Sequence, residues 1–221
     1  MLHHQNVSAM QITIIYDNTA YNSELIPDWG FAALLEAHGR RILFDTGGDG
    51  TILLNNMKKL DIDPTSVDEV FISHPHFDHV GGLSAFLHEN HEVTVYVPDS
   101  LRGIKHAREI RHFSKPEKIH ENFFSTGQLD QIEQALAVQT EKGLVLVVGC
   151  SHPPMEDILD TASRFGNIFG IVGGLHGFNK FELLSNLNLI CPTHCTQHKT
   201  EIQNRYPDKV EQGGAGRVIK I

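Results

Sequence analysis

The segment Leu144-Val145-Leu146-Val147-Val148 has no polar residue at any position, so a strand built from it must be buried on both faces. Apolar runs without clean polar alternation recur at Gln11 to Asp17, Phe31 to Glu36, Arg41 to Asp45, Glu69 to Ser73, Val93 to Val97, Ala135 to Thr140, Ile168 to Val172, Leu189 to Cys191 and Arg217 to Ile221. Helical patterns fill Thr51 to Leu60, Leu83 to His88, Ser100 to Arg111, Met155 to Phe165, Lys180 to Ser185 and a stretch after His198. Strands covered on both faces need helices on one side and a second sheet on the other. The order therefore predicts an α/β fold, a four-layer αββα sandwich. With 221 residues, 40% of them hydrophobic, the chain can bury one large core. No repeat, low-complexity tract or linker marks an internal boundary, so a single domain over residues 1–221 is expected.

The formal charge of -9 argues against a general affinity for nucleic acid, whose phosphates require a basic face. The N-terminus lacks a basic stretch followed by an apolar one, and no apolar run approaches the ~20 residues that span a bilayer. A soluble, cytoplasmic protein with a small-molecule substrate and no membrane partner is the expectation. Three cysteines, Cys150, Cys191 and Cys195, are an odd number and too few for a disulfide framework, which points to reduced thiols. His3 and His4 read as terminal residues rather than ligands.

The chemistry concentrates in Ser73-His74-Pro75-His76-Phe77-Asp78-His79-Val80-Gly81-Gly82, which places three histidines and an aspartate within six positions behind an apolar run. Neutral imidazole and carboxylate are ligands that zinc and its first-row neighbours take when a site must stay open. His74 and His76, two apart in extended chain, can point to one side, while Asp78 and His79 fall on the turn that opens the next helix. Gly81 and Gly82 let backbone pass close beneath the loop. Two further apolar strands run into histidines, at Gly149-Cys150-Ser151-His152 and at Cys191-Pro192-Thr193-His194-Cys195. A strand end is a rigid place to hold a ligand, and convergence of the three motifs on one centre is the economical reading.

These motifs resemble the metallo-β-lactamase superfamily, together with Leu43-Phe44-Asp45-Thr46-Gly47 ahead of them and the C-terminal Arg217-Val218-Ile219-Lys220-Ile221. Within it, Gly149-Cys150-Ser151-His152-Pro153, Gly173-Gly174-Leu175-His176 and Pro192-Thr193-His194-Cys195-Thr196 are similar to the group named after dihydropterin ribofuranosylaminobenzene phosphate synthase. The resemblance implies one metal on His74, His76 and His152 and a second on Asp78, His79 and His194. It also implies an Asp45 close by, either behind a ligand imidazole or closing a turn. Zinc comes first among the divalent candidates, then manganese and iron. Superfamily hydrolases carry a metal-bridging aspartate between their third and last histidines, where this chain has Gly173-Gly174-Leu175-His176. An imidazole ordinarily cannot bridge. His176 is left with terminal ligation or acid–base catalysis, against a packing role.

A metal of this type lowers the pKa of a bound water to about 7, which supplies hydroxide at neutral pH, and Asp78 would orient it. Related oxygen reductases place glutamate at position 76, so His76 favours hydrolysis. The main expectation is a metal-dependent hydrolase of a small ester, lactone or phosphoester. A phosphoribosyl-type transferase and a non-catalytic metal-binding protein are the alternatives. Between Leu101 and His120, Arg102, Lys105, Arg108, Arg111, Lys115 and Lys118 face only Glu109 and Glu117. That basic run reads either as a pocket edge for an anionic substrate or, the blander reading, as a solvated helix face. Cys150 and Cys195 adjoin ligand histidines, but small buried cysteines are commonly packing residues, and that is the expectation for both. Cys191 and Cys195 have no second pair with which to close a structural metal site.

Overall fold

The computed structural model describes residues 9–221, so His3 and His4 lie outside the described part. The strands are β1 (Gln11–Tyr16), β2 (Ala32–Ala37), β3 (Arg40–Phe44), β4 (Glu69–Phe71), β5 (Thr94–Pro98), β6 (Glu109–Phe113), β7 (Glu117–His120), β8 (Phe123–Ser125), β9 (Leu136–Thr140), β10 (Gly143–Val148), β11 (Ile168–Gly174), β12 (Leu189–Thr193) and β13 (Val218–Lys220). The helices are α1 (Gly50–Lys59), α2 (Phe77–Val80), α3 (Leu83–Glu89), α4 (Met155–Ser163) and α5 (Lys199–Arg205). Seven strands form one sheet in the order β13-β1-β2-β3-β4-β5-β6, and six form a second in the order β12-β11-β10-β9-β8-β7.

Successive side chains of a strand point to opposite faces, and here the two faces of each central strand enter different cores. Ile42 and Phe44 of β3 and Val145 and Val147 of β10 meet between the sheets, with Phe71, Leu136 and Val172. Leu43 of β3 and Val95 and Val97 of β5 turn outward under α1 and α3, against Leu53, Met57 and Phe86. Leu144, Leu146 and Val148 of β10 turn the other way, under α4 and α5, against Ile158, Ala162 and Ile202. Three cores between four layers are the predicted αββα sandwich. Phe44 and Phe71 stack at 5.5 Å in the middle core, where truncation of either to alanine costs ~3–5 kcal/mol.

The predicted strands and helices are present, with two exceptions. Residues 100–111 do not form a helix. The chain there runs as a loop with left-handed residues at Gly103 (φ 84°) and His106 (φ 68°), then becomes β6 on the edge of the first sheet. Leu101, Ile104 and Ile110 do pack on the outer core, but from a loop and a strand, so apolar spacing alone was misleading. The solvated-helix account of the basic run falls with it. Residues 180–185 form only a short 3-10 turn, Phe181–Leu184. Strands β6, β7 and β8 were not foreseen: the first two are half polar and the third is three residues long.

Within the sheets β3, β4 and β5 run parallel, and so do β10, β11 and β12. Loops leaving the C-terminal ends of parallel strands are where such sheets place their sites. The two sets are tied together at that edge by Gln134, which donates from its backbone to Ser73 O (2.9 Å) and from its amide to Ile72 O (2.8 Å).

Candidate metal centre

The first ligand group leaves β4. Asp45 at the end of β3 receives the Ser73 backbone N–H (2.7 Å) and the Ser73 hydroxyl (2.6 Å), which fixes the chain just before His74. The α2 turn then packs against the loop after β3. A side-chain carbon on Gly81 or Gly82 would lie 2.2 Å from the carbonyls of Gly48 or Thr46, so only glycine permits that approach. Thr46 donates from both its backbone (2.8 Å) and its hydroxyl (2.9 Å) to His79 O.

His152 and His194 arrive from the second sheet. Glu133, buried just ahead of β9, accepts the backbone N–H groups of Gly149 (3.0 Å), Cys150 (3.0 Å) and Ser151 (3.1 Å) on one oxygen and of His152 (2.9 Å) on the other. Such a row of N–H donors is an anion-holding nest, here filled by a carboxylate of the chain itself. Asp17 accepts the His194 backbone N–H (2.9 Å), and the side chain of Asn18 lies 2.8 Å from His194 Nδ1. Asp45, Ser151, His176 and His194 all have left-handed backbone, with φ between 42° and 57°. Tight loop corners thus turn each ligand segment off its strand.

The six ligands expected from the sequence come together as two groups. Ligand atoms of His74, His76 and His152 lie within 4.8 Å of one another, and so do those of Asp78, His79 and His194. The rings of the first group are mutually 4.7–4.8 Å apart. In the second, His194 Nε2 is 3.2 Å and His79 Nε2 is 3.9 Å from Asp78 Oδ2. Donors on one tetrahedral zinc, with bonds of about 2.0–2.1 Å, sit about 3.3 Å apart. The Nε2 atoms of His74, His152 and His194 are buried and have no hydrogen-bond partner. Orphaned buried polar atoms are costly, and three of them aimed into one space fit a metal centre.

The opposite ring nitrogens are engaged. His79 Nδ1 meets Asp45 Oδ2 at 2.7 Å and His74 Nδ1 meets the Ser73 hydroxyl at 2.9 Å. A carboxylate behind an imidazole sets its tautomer and leaves Nε2 as the free donor atom. Asp45 therefore both closes its turn and orients His79. Burial, helped by neighbouring histidines, holds His74 and His79 well below the ordinary imidazole range and lowers His152 to about 4, so all three are neutral at physiological pH, the form in which imidazole binds metal. For Asp78, burial pushes upward, but the close approach of the His194 and His79 imidazoles outweighs it and holds the carboxyl below its ordinary range.

His176 does not join either group. It is exposed, with its ring 5.2 Å from that of His152, beside a cleft of about 340 Å³ lined by Ser151, Pro153, Met155, Phe178, Asn179 and Lys180. The basic run lies elsewhere: Leu101, Arg102, Ile104, Lys105 and His106 line a separate cleft against α3, of about 470 Å³. Cys191 is in the middle core, its thiol pushed up to about 12 by burial. Cys150 is buried, as expected of a small packing residue. It stands two residues before His152, and its Sγ turns toward the ligands, 3.2 Å from His79 Nε2.

Sequence reasoning missed Glu133, Asp17, Asn18 and Trp29. Trp29 donates from its indole to Asp78 Oδ2 (2.8 Å) and packs edge-on against His194 at 5.1 Å. None of the four belongs to a short motif. An acidic residue in an otherwise uncharged strand approach, as at Glu133, was the one available signal.

A family model described as metallo-beta-lactamase superfamily matches residues 27–162. The chain is 26% identical to the 7,8-dihydropterin-6-methyl-4-(beta-D-ribofuranosyl)-aminobenzene-5'-phosphate synthase of Methanocaldococcus jannaschii, over 95% of both chains. Its fold is similar to that of Tm1679, a metal-dependent hydrolase of the beta-lactamase superfamily, at 24% identity and TM-score 0.79, covering 96% of this chain and 99% of that one. Human tRNase Z, short form, matches at 14% identity and TM-score 0.65, covering 95% and 98%.

Proposed function

The chain belongs to the metallo-beta-lactamase superfamily, and on that premise we propose that it is a metal-dependent hydrolase of a small ester, lactone or phosphoester. The observation that carries this reading is the pair of ligand groups, His74/His76/His152 and Asp78/His79/His194, with three unpartnered Nε2 atoms between them. When bound, divalent metals such as zinc lower the pKa of a coordinated water to about 7 and polarise the bond under attack.

The chain's own residues supply the rest. Asp78, fixed by Trp29, orients the attacking water and takes its proton as the new bond from oxygen to carbon or phosphorus forms. His176, exposed beside His152, delivers a proton to the leaving oxygen as its bond breaks. The adjoining cleft, at about 340 Å³, suits a small molecule. A second reading, a phosphoribosyl-type transferase, is favoured by similarity to the M. jannaschii synthase along nearly the whole chain.

Elemental analysis of protein resupplied with zinc, manganese or iron, followed by turnover of chromogenic esters and phosphodiesters, tests the proposal. Two metals per chain and ester turnover are expected. His74→Ala should lose metal, and His176→Ala should keep metal but lose turnover by about 100-fold, at the low end of acid–base effects. A fully loaded protein that cleaves no ester yet consumes a phosphoribosyl donor would replace hydrolysis with transfer. A His74→Ala protein with unchanged metal content would end both readings.

A further inference from the structure

Superfamily hydrolases carry a bridging carboxylate where this chain has Gly173-Gly174-Leu175-His176, and neither glycine has space for one. A side-chain carbon on Gly174 would lie 2.4 Å from Gly149 O and 2.8 Å from Cys195 Sγ. On Gly173 it would lie 1.9 Å from Val148 O. The strand end is pressed against β10, and the volume beside it already holds the Cys195 thiol.

The sulfur of Cys150 stands between the two ligand groups. Its Sγ belongs to a set with His74 and His79, all within 4.8 Å, and to another with His194 and Cys195 within the same limit. It therefore reaches one ligand of the first group and two of the second. Its 3.2 Å separation from His79 Nε2 is close to the roughly 3.5 Å between a thiolate sulfur and an imidazole nitrogen that share a tetrahedral zinc. The His74 and His194 Nε2 atoms beside it are buried and unpartnered. The Glu133 carboxyl holds the backbone N–H of Cys150 itself at 3.0 Å, which fixes the position of that residue's backbone.

The geometry points to Cys150 as the bridging ligand of the dinuclear centre, a thiolate in the place of the missing carboxylate. This rests on the metal-dependent reading above. A thiolate sulfur has lone pairs for two metals and is a softer donor than carboxylate, so it favours zinc or iron over manganese or magnesium. The Cys150 S–H bond breaks as the sulfur–metal bonds form, the proton leaves to solvent, and no electron is transferred. Cys195 flanks Cys150 in the same set with His194.

The test loads reduced full-length protein with cobalt(II) and records the near-ultraviolet thiolate-to-cobalt charge-transfer band, metal stoichiometry and proton release, in wild type, Cys150→Ser, Cys150→Asp and Cys195→Ser. Two cobalt ions and a strong band are expected in wild type and Cys195→Ser. Cys150→Ser should lose the band and one of the two ions, and Cys150→Asp should regain the second ion without the band. Should the Cys150 variants not fold, X-ray absorption at the zinc edge of Cys195→Ser must show sulfur at about 2.3 Å from zinc. Two cobalt ions with no band in wild type would overturn the bridge and leave the metal-dependent reading standing. A band that survives Cys150→Ser but not Cys195→Ser would give the sulfur to the wrong residue and equally overturn it. Failure to bind any metal would end both.

Discussion

Glu133→Gln is the most informative single change. The substitution keeps shape and removes one oxygen from a buried carboxylate that accepts four backbone N–H groups from the loop carrying Cys150 and His152. The Gln carbonyl can still take the three N–H groups now on Oε1. Its amide N–H then opposes the N–H of His152, which sat 2.9 Å from Oε2. A charge-assisted bond worth ~1.5–3 kcal/mol is lost and a buried donor is stranded at ~1–3 kcal/mol. Relief from burying a charge offsets part, leaving a net destabilisation of about 3 kcal/mol. For a chain of this size that lowers Tm by roughly 6–12 °C. Calorimetry on the metal-free protein measures it, and zinc titration shows whether the first metal group weakens as His152 loosens. An E133Q protein within about 0.5 kcal/mol of wild type, the range of ordinary surface changes, and with unaltered zinc affinity would refute the account of the loop.

Asp45→Asn should lower metal affinity by about 10–100-fold, because an amide facing His79 Nδ1 no longer holds the tautomer with Nε2 free; competition against a chromogenic chelator reads the change. Zinc at about 100 times its dissociation constant should stabilise the fold by ~2.7 kcal/mol, seen as a Tm rise that chelator reverses. The metal-free protein should lose stability as pH falls. Burial keeps His74 and His79 neutral when folded, below the ordinary value of 6.5, so the unfolded chain binds protons first. At about pH 5 each such histidine costs roughly 2 kcal/mol, and His152 acts in the same direction between 6.5 and about 4. Urea midpoints measured in chelator across that range should drop, and a flat or rising series would contradict the buried-neutral assignment.

The sandwich was legible because strands such as β10 are apolar at every position, which requires cover on both faces. Four of the helical patterns and the central strands followed from that. The edge strands β6 and β7 were not, since Glu109–Phe113 and Glu117–His120 are half polar and their strand form comes from pairing with neighbours. The six candidate ligands could be picked out because they cluster by spacing at strand ends, and the fold brings them together in two sets. The groups that position them could not. Glu133 and Asn18 act across 19 and 176 residues of chain, and no local pattern encodes such contacts. Where the Cys150 Sγ points could not be read from strand alternation, because β10 ends at Val148 and the left-handed Ser151 turns the chain before His152.

The division of ligands between the two sheets has a kinetic consequence. His74, His76, Asp78 and His79 follow β4 in the first sheet, whereas His152 and His194 follow β10 and β12 in the second. Each ligand group draws on both, so neither half of the chain assembles a complete metal set before the sheets dock. During refolding, the metal must join after that docking and lock it, slowing unfolding more than it speeds folding. A metal-dependent signal in stopped-flow refolding would thus time the closure of the sandwich.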